Sequence, residues 1–308
     1  MRLKDARSFW RIMKSISLRE IEVEAARPFS LALVGAPARR LDALRRLYPD
    51  VPPETAHPLI RAFDSVGECD GFPQESGSFD VVIDAGGGWA PTGGRVSMFS
   101  VGELGGWDLM VERLLDERAD LALTLARRFP GLREAVARRT IRETATANAE
   151  FAMLNALPGI VPVLGILLPT AIMGDLLMLA KNQALMLYRL AACHDLPLDA
   201  RARARDVAPL VGNAFGWRAL AREVVGFVPG GVGLVARGAI AYAGTMALGE
   251  AMHRFYEMGE RPTRAAIGQL YKRRIGEARE TASGILHRVR ALPRPRGLLR
   301  GRREPGDA

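Results

Sequence analysis

A chain of 308 residues, 48% apolar and 25% charged, holds enough apolar material for two ordinary cores and too many charges for a transporter made mostly of spans. Its formal net charge of +9 suits an anionic surface, and its two cysteines, Cys69 and Cys193, form no CxxC pair that would signal a disulfide framework or a zinc site. His57, His194, His253 and His287 are scattered without metal-ligand spacing, so neither a metal nor another cofactor is expected.

The chain opens with a basic amphipathic segment, residues 1–26, in which Phe9, Trp10, Met13 and Ile16 share one side. Arg27-Pro28 stops it, because a residue before proline is pushed out of the helical region. Phe29 to Gly35 then reads as a buried strand, with a turn and a helix over Ala38 to Leu47 behind it. Phe79 to Asp84 reads as a second strand and Ser97 to Val101 as a third; residues 49–78, rich in Pro, Gly, Asp and Ser, read mostly as loop. Residues 27–105 therefore form a small α/β domain. A connecting helix over 106–131 leads to a long helical region, 132–289, and a basic Pro/Arg/Gly-rich tail, 290–308, reads as disordered.

The helical region is strongly apolar in two places. Phe151 to Gly174 carries no charge, although Pro158, Gly159, Pro162, Gly165 and Pro169 interrupt it; Val224 to Gly249 repeats the design around Pro229-Gly230-Gly231. Both fit helical hairpins that enter a bilayer better than straight spans, and the Ala/Gly-rich stretch from Gly238 to Gly249 suits close helix contact or self-association. Basic residues flank both stretches, as cytoplasmic juxtamembrane charge would, which favours the anionic inner leaflet over nucleic acid as the partner. Within the apolar half, Asp175 and Arg237 are isolated charges and are expected to pair; Lys181, Asn182, Gln183 and Glu250 are the other polar residues there. The competing reading is a helical bundle in which both apolar stretches are simply core.

The strand-turn-helix at the start of the α/β domain occupies the place of a phosphate-binding loop, GxxxxGK[ST]. Gly35 and Pro37 fit its opening, but Arg40, Leu41 and Asp42 stand where the loop glycine, the phosphate-neutralising lysine and the magnesium-binding hydroxyl belong. Asp84 and Gly86 echo a Walker-B-like position, without an NKxD motif to read guanine. The fold class expected is α+β overall: a degenerate P-loop or Rossmann-like α/β domain followed by an all-α, Ala/Gly-rich helical domain. No Ser/His/Asp arrangement or GxSxG elbow is visible, so no catalytic residue is named.

Three segments in order, RETATANAEFAMLNALPGIVPVLGILLP, GDLLMLAKNQALMLYRLAA and PGGVGLVARGAIAYAGTMALGEAMHRFYEMGERPT, resemble the bacterial domain-of-unknown-function 697 family across residues 132–275. RPFSLALVGAP resembles the start of the GTPase-like domain that accompanies it. The resemblance implies a bacterial inner-membrane location with the bulk of the chain cytoplasmic. Together with the missing loop residues it implies a non-enzymatic, membrane-associated scaffold or adaptor carrying a pseudo-GTPase domain. The alternatives are a regulatory GTPase-like enzyme with an unconventional loop and a soluble helical-bundle interaction protein.

Overall fold

The computed structural model describes residues 18–50, 60–63, 79–86, 98–154, 168–199, 203 and 232–291; in the helix that begins at Leu168, side chains are described from Met178 onward. It is mixed α+β and mostly helical, with a small parallel sheet. The elements in order are α1 (Arg19–Ala25), β1 (Leu31–Val34), α2 (Pro37–Leu47), β2 (Ile60–Phe63), β3 (Val81–Asp84), β4 (Met98–Ser100), α3 (Trp107–Glu117) and α4 (Ala122–Arg128). Four long helices follow: α5 (Arg133–Leu154), α6 (Leu168–Cys193), α7 (Val232–Met258) and α8 (Arg264–Ala291).

The strands lie in the order β2-β1-β3-β4, all parallel, with Leu31 opposite both Ile60 and Val81 and Val82 opposite Met98. LALV and the VVI of VVID are continuous apolar runs, and both strands are buried throughout, because a parallel strand is covered on both faces. Leu31, Leu33, Val81 and Ile83 face the helices, while Ala32, Val34 and Val82 form a second small cluster with Phe79 on the other face. Chain direction across the sheet reverses between β1 and β3, which places the expected phosphate-loop position at the topological switch point. β2 was not expected from the sequence; it lies within the segment read as loop.

α3 buries Trp107, Met110, Val111, Leu114 and Leu115, the i, i+3, i+4 stripe of an amphipathic helix. Through α3 and α4 the core beneath the sheet runs without a break into the helical bundle, so Leu33, Phe129, Ile141, Tyr242 and Ile285 belong to one apolar cluster. The join is close. A Cβ on Gly131, in the short 3-10 turn Pro130–Leu132, would collide with the Arg46 carbonyl oxygen at the end of α2. Within the bundle α7 is central, packing along α5 and α8 and against α6.

The expectation of membrane-entering helices and an inner-membrane location is corrected here: among the described residues, no helix is long and apolar enough to cross a membrane. The apolar side chains of α7 have another use. Ala239, Tyr242, Ala243, Met246, Ala247 and Ala251 are buried inside the bundle, and the small residues that suggested packing between membrane helices serve close packing within one chain. The Pro/Gly interruptions at Pro158–Gly165 and Pro229–Gly231, the N-terminal residues 1–17 and the tail after Ala291 lie outside the described residues. Pro169 falls in the first turn of α6, where its missing N–H costs no helical hydrogen bond.

Candidate functional site

At the switch point, Gly35 leaves β1 with φ +136°, a conformation that favours glycine, and Pro37 starts α2 with its ring preset for the helix. That much matches a phosphate-binding turn. The side chains that follow do not: Arg40 and Leu41 are half-buried against the helix, and Asp42 turns outward to pair with Arg46 at 3.2 Å, one helical turn on. Across the crevice Asp84 is fully buried. Its Oδ1 accepts the Gly86 N–H at 3.0 Å and its Oδ2 accepts the Ser100 hydroxyl at 3.0 Å, while the Ser100 oxygen accepts the Glu103 N–H at 3.4 Å. The carboxylate is therefore a brace that ties the end of β3 to the end of β4. Arg39 lies alongside Gly86. The turn carries neither the lysine nor the hydroxyl of a phosphate-binding loop, and the acid across from it is buried.

Polar residues of the helical half form a knot around the buried Asn148 and Thr245. Asn148 of α5 donates through Nδ2 to Thr245 Oγ1 of α7 at 3.0 Å and accepts at Oδ1 from Asn182 Nδ2 of α6 at 2.9 Å. Gln183 Nε2 also donates to Thr245 Oγ1, at 3.3 Å, and the Thr245 hydroxyl donates to the Ala241 carbonyl at 2.8 Å. Asn182 and Gln183, singled out from the sequence, are thus brought together with two partners that were not. Polar groups that pair across helices in an apolar interior fix the register of the helices that carry them. Glu250 lies elsewhere, accepting from Arg274 Nε at 2.7 Å; Arg274 also reaches Glu277, which accepts the Tyr242 hydroxyl at 3.0 Å. Lys181 is half-buried. Arg237 is exposed on α7 and the Asp175 side chain lies outside the described residues, so their expected pairing is not placed.

A third polar group spans the same helices nearer the sheet. His253 of α7 is within 2.7 Å of Glu134 Oε2 through Nε2 and within 3.0 Å of His194 Nε2 through Nδ1. Glu134 belongs to the first turn of α5, and His194 directly follows α6. Both rings are buried. Burial pushes the His194 imidazole down to about 4, helped by the neighbouring His253 and the Arg133 guanidinium. The three residues are far apart in the chain and share no motif, so the only sequence signal was a histidine in each of two apolar helical stretches. Among the described residues no group of three or more His, Cys, Asp or Glu side chains is placed to hold a metal ion.

No family model, no curated protein and no solved structure matches this chain.

Proposed function

We propose that this chain is a non-enzymatic interaction protein, a scaffold or adaptor, whose parallel-sheet region keeps the frame of a nucleotide-binding domain and has converted its reactive positions to structural use. One observation carries the reading. Asp84, the acid that would hold a nucleotide-bound magnesium ion, is fully buried with both carboxylate oxygens occupied by Gly86 and Ser100. Phosphoryl transfer also needs a lysine on the phosphates and a hydroxyl on the metal, and the turn offers Leu41 and Asp42 in those places. The continuous core from sheet to bundle supports a single rigid platform rather than a switch domain on a tether.

Isothermal titration of the full chain with Mg-GTP and with Mg-ATP tests this. The expected result is no saturable heat, together with a protein complex whose composition in affinity purification does not change when nucleotide is added. Micromolar, magnesium-dependent binding would overturn the reading.

A further inference from the structure

The Glu134–His253–His194 chain has a direction set by elementary hydrogen-bond chemistry. An ionised carboxylate only accepts, so His253 must carry its proton on Nε2, where it meets Glu134. A neutral imidazole with a protonated Nε2 has a bare Nδ1. His194 must therefore carry its own proton on Nε2 and donate it to His253 Nδ1. Each contact holds one proton and is satisfied. One extra proton fits on the outer nitrogen of His194 without disturbing the chain, but a second, placed on His253 Nδ1, would set two N–H groups against each other across 3.0 Å.

The setting makes this arrangement consequential. Glu134 lies on α5, His253 on α7 and His194 at the end of α6, so one chain clasps the point where three helices converge. The charged groups around it come from every neighbouring element. Arg133 of α5 acts on His194, and Arg138 of α5 lies 3.8 Å from Glu134. Arg127 of α4 holds Asp195, the residue after His194, at 2.6 Å. Tyr256 of α7 stands beside the His194 ring with Arg203 over its own face, and Asp199 lies in the segment after α6. Of these, the Arg133 guanidinium opposes added charge on the His194 ring. Asp195, just past the end of α6, has φ +54°, a left-handed conformation that aspartate tolerates better than most residues other than glycine.

We propose that Glu134, His253 and His194 form a proton-operated latch on the junction of α5, α6 and α7, closed while each ring carries a single N–H and forced open when both rings are doubly protonated. Opening parts the last turn of α6 from α5 and α7. One turn back along α6, Arg189 places its two terminal nitrogens 3.1 and 2.9 Å from the Glu24 carboxylate of α1, so the latch bears on the attachment of α1 as well.

Hydrogen exchange on the full chain tests the latch through the amides of residues 188–195, measured between pH 7 and pH 4.5 and corrected for intrinsic exchange. Each proton taken up on opening raises the open population about tenfold per pH unit, so the wild-type chain should respond more steeply than tenfold per unit. In H253Q the amide oxygen accepts from His194 and the amide nitrogen donates to Glu134, preserving the chain without the second titration. Its response should fall to tenfold per unit or less, and that of the H194Q/H253Q double variant should be flat. A wild-type slope no steeper than that of H253Q overturns the latch. Nitrogen-15 spectra of the wild-type rings at pH 7 provide a check that needs no variant: a proton on Nε2 of both rings is expected, and a proton on Nδ1 of either overturns it.

Discussion

Gly249 of α7 lies so close to Ile141 of α5 that a Cβ built on it would sit 2.6 Å from the isoleucine Cγ1 and 2.7 Å from its Cγ2. The isoleucine is itself 2% exposed and has no room to retreat. In an exposed helix interior, replacing glycine with alanine stabilises by about 0.5 to 1 kcal/mol. Here the sign should reverse. Gly249→Ala is expected to destabilise by about 1 to 3 kcal/mol through overpacking, whereas Gly276→Ala on α8, whose Cβ would meet nothing within 4 Å, should stabilise. Urea denaturation of the two variants decides the matter; equal effects would show that α5 and α7 do not meet this closely.

Thr245 is expected to be worth more than its size. Its hydroxyl oxygen accepts from both Asn148 and Gln183, so Thr245→Val keeps the shape and leaves the buried Asn148 amide and the partly buried Gln183 amide without that acceptor, at a cost of about 1 to 3 kcal/mol. Thr144 is the control, since its hydroxyl donates only to the Thr140 carbonyl on its own helix; Thr144→Val should change stability by less than about 0.5 kcal/mol. A Thr245→Val variant as stable as wild type would remove the knot as a stabilising element.

The strands β1, β3 and β4 and the helices α2, α5 and α8 were legible because each is a periodic or apolar run with a Pro or Gly stop beside it. β2 was not, because IRAF is four residues at a sheet edge, only partly buried, and lies in a Pro-rich stretch. The membrane reading failed for a related reason: a run of Ala, Gly and Val looks the same whether it is to face lipid or to line the centre of a bundle. Asn182 and Gln183 could be noticed as polar residues in apolar surroundings, but their partners Asn148 and Thr245 stand 34 and 62 residues away from them. The same holds for His194 and His253, 59 residues apart. Long-range pairing leaves no trace in local spacing.

Stability should fall on mild acidification. The His194 ring is held at about 4 in the folded chain against 6.5 when unfolded, chiefly by burial. Between these values the unfolded chain binds the extra proton and the folded chain does not, so stability is complete above about pH 6.5 and is lost as pH falls toward 4. The size of the loss is on the order of 1 to 3 kcal/mol after allowance for partial solvent access. His194→Gln should flatten this part of the profile, as followed by urea midpoints at pH 7, 6, 5 and 4.5. A profile unchanged by the substitution would place the acid sensitivity elsewhere.

Cys193 ends α6 with no exposed surface, and burial pushes its thiol up to about 12. The attacking species in alkylation is the thiolate, so at pH 8 nearly all of this cysteine is in the unreactive form, and a reagent cannot reach the remainder without opening the helix end. Raised affinity for the proton and loss of access act together, whereas a reactive cysteine has a lowered thiol and a partly open setting. Iodoacetamide at pH 8 should therefore leave Cys193 unmodified in the native chain over hours and label it fully in urea, as read by peptide mass mapping. The rate of native labelling should track opening of the α6 terminus, and variants that weaken the contact with α1, such as Arg189→Gln, should raise it. Complete modification within minutes under native conditions would mean that the end of α6 is open to solvent, and it would undercut the buried placement of both Cys193 and the neighbouring His194.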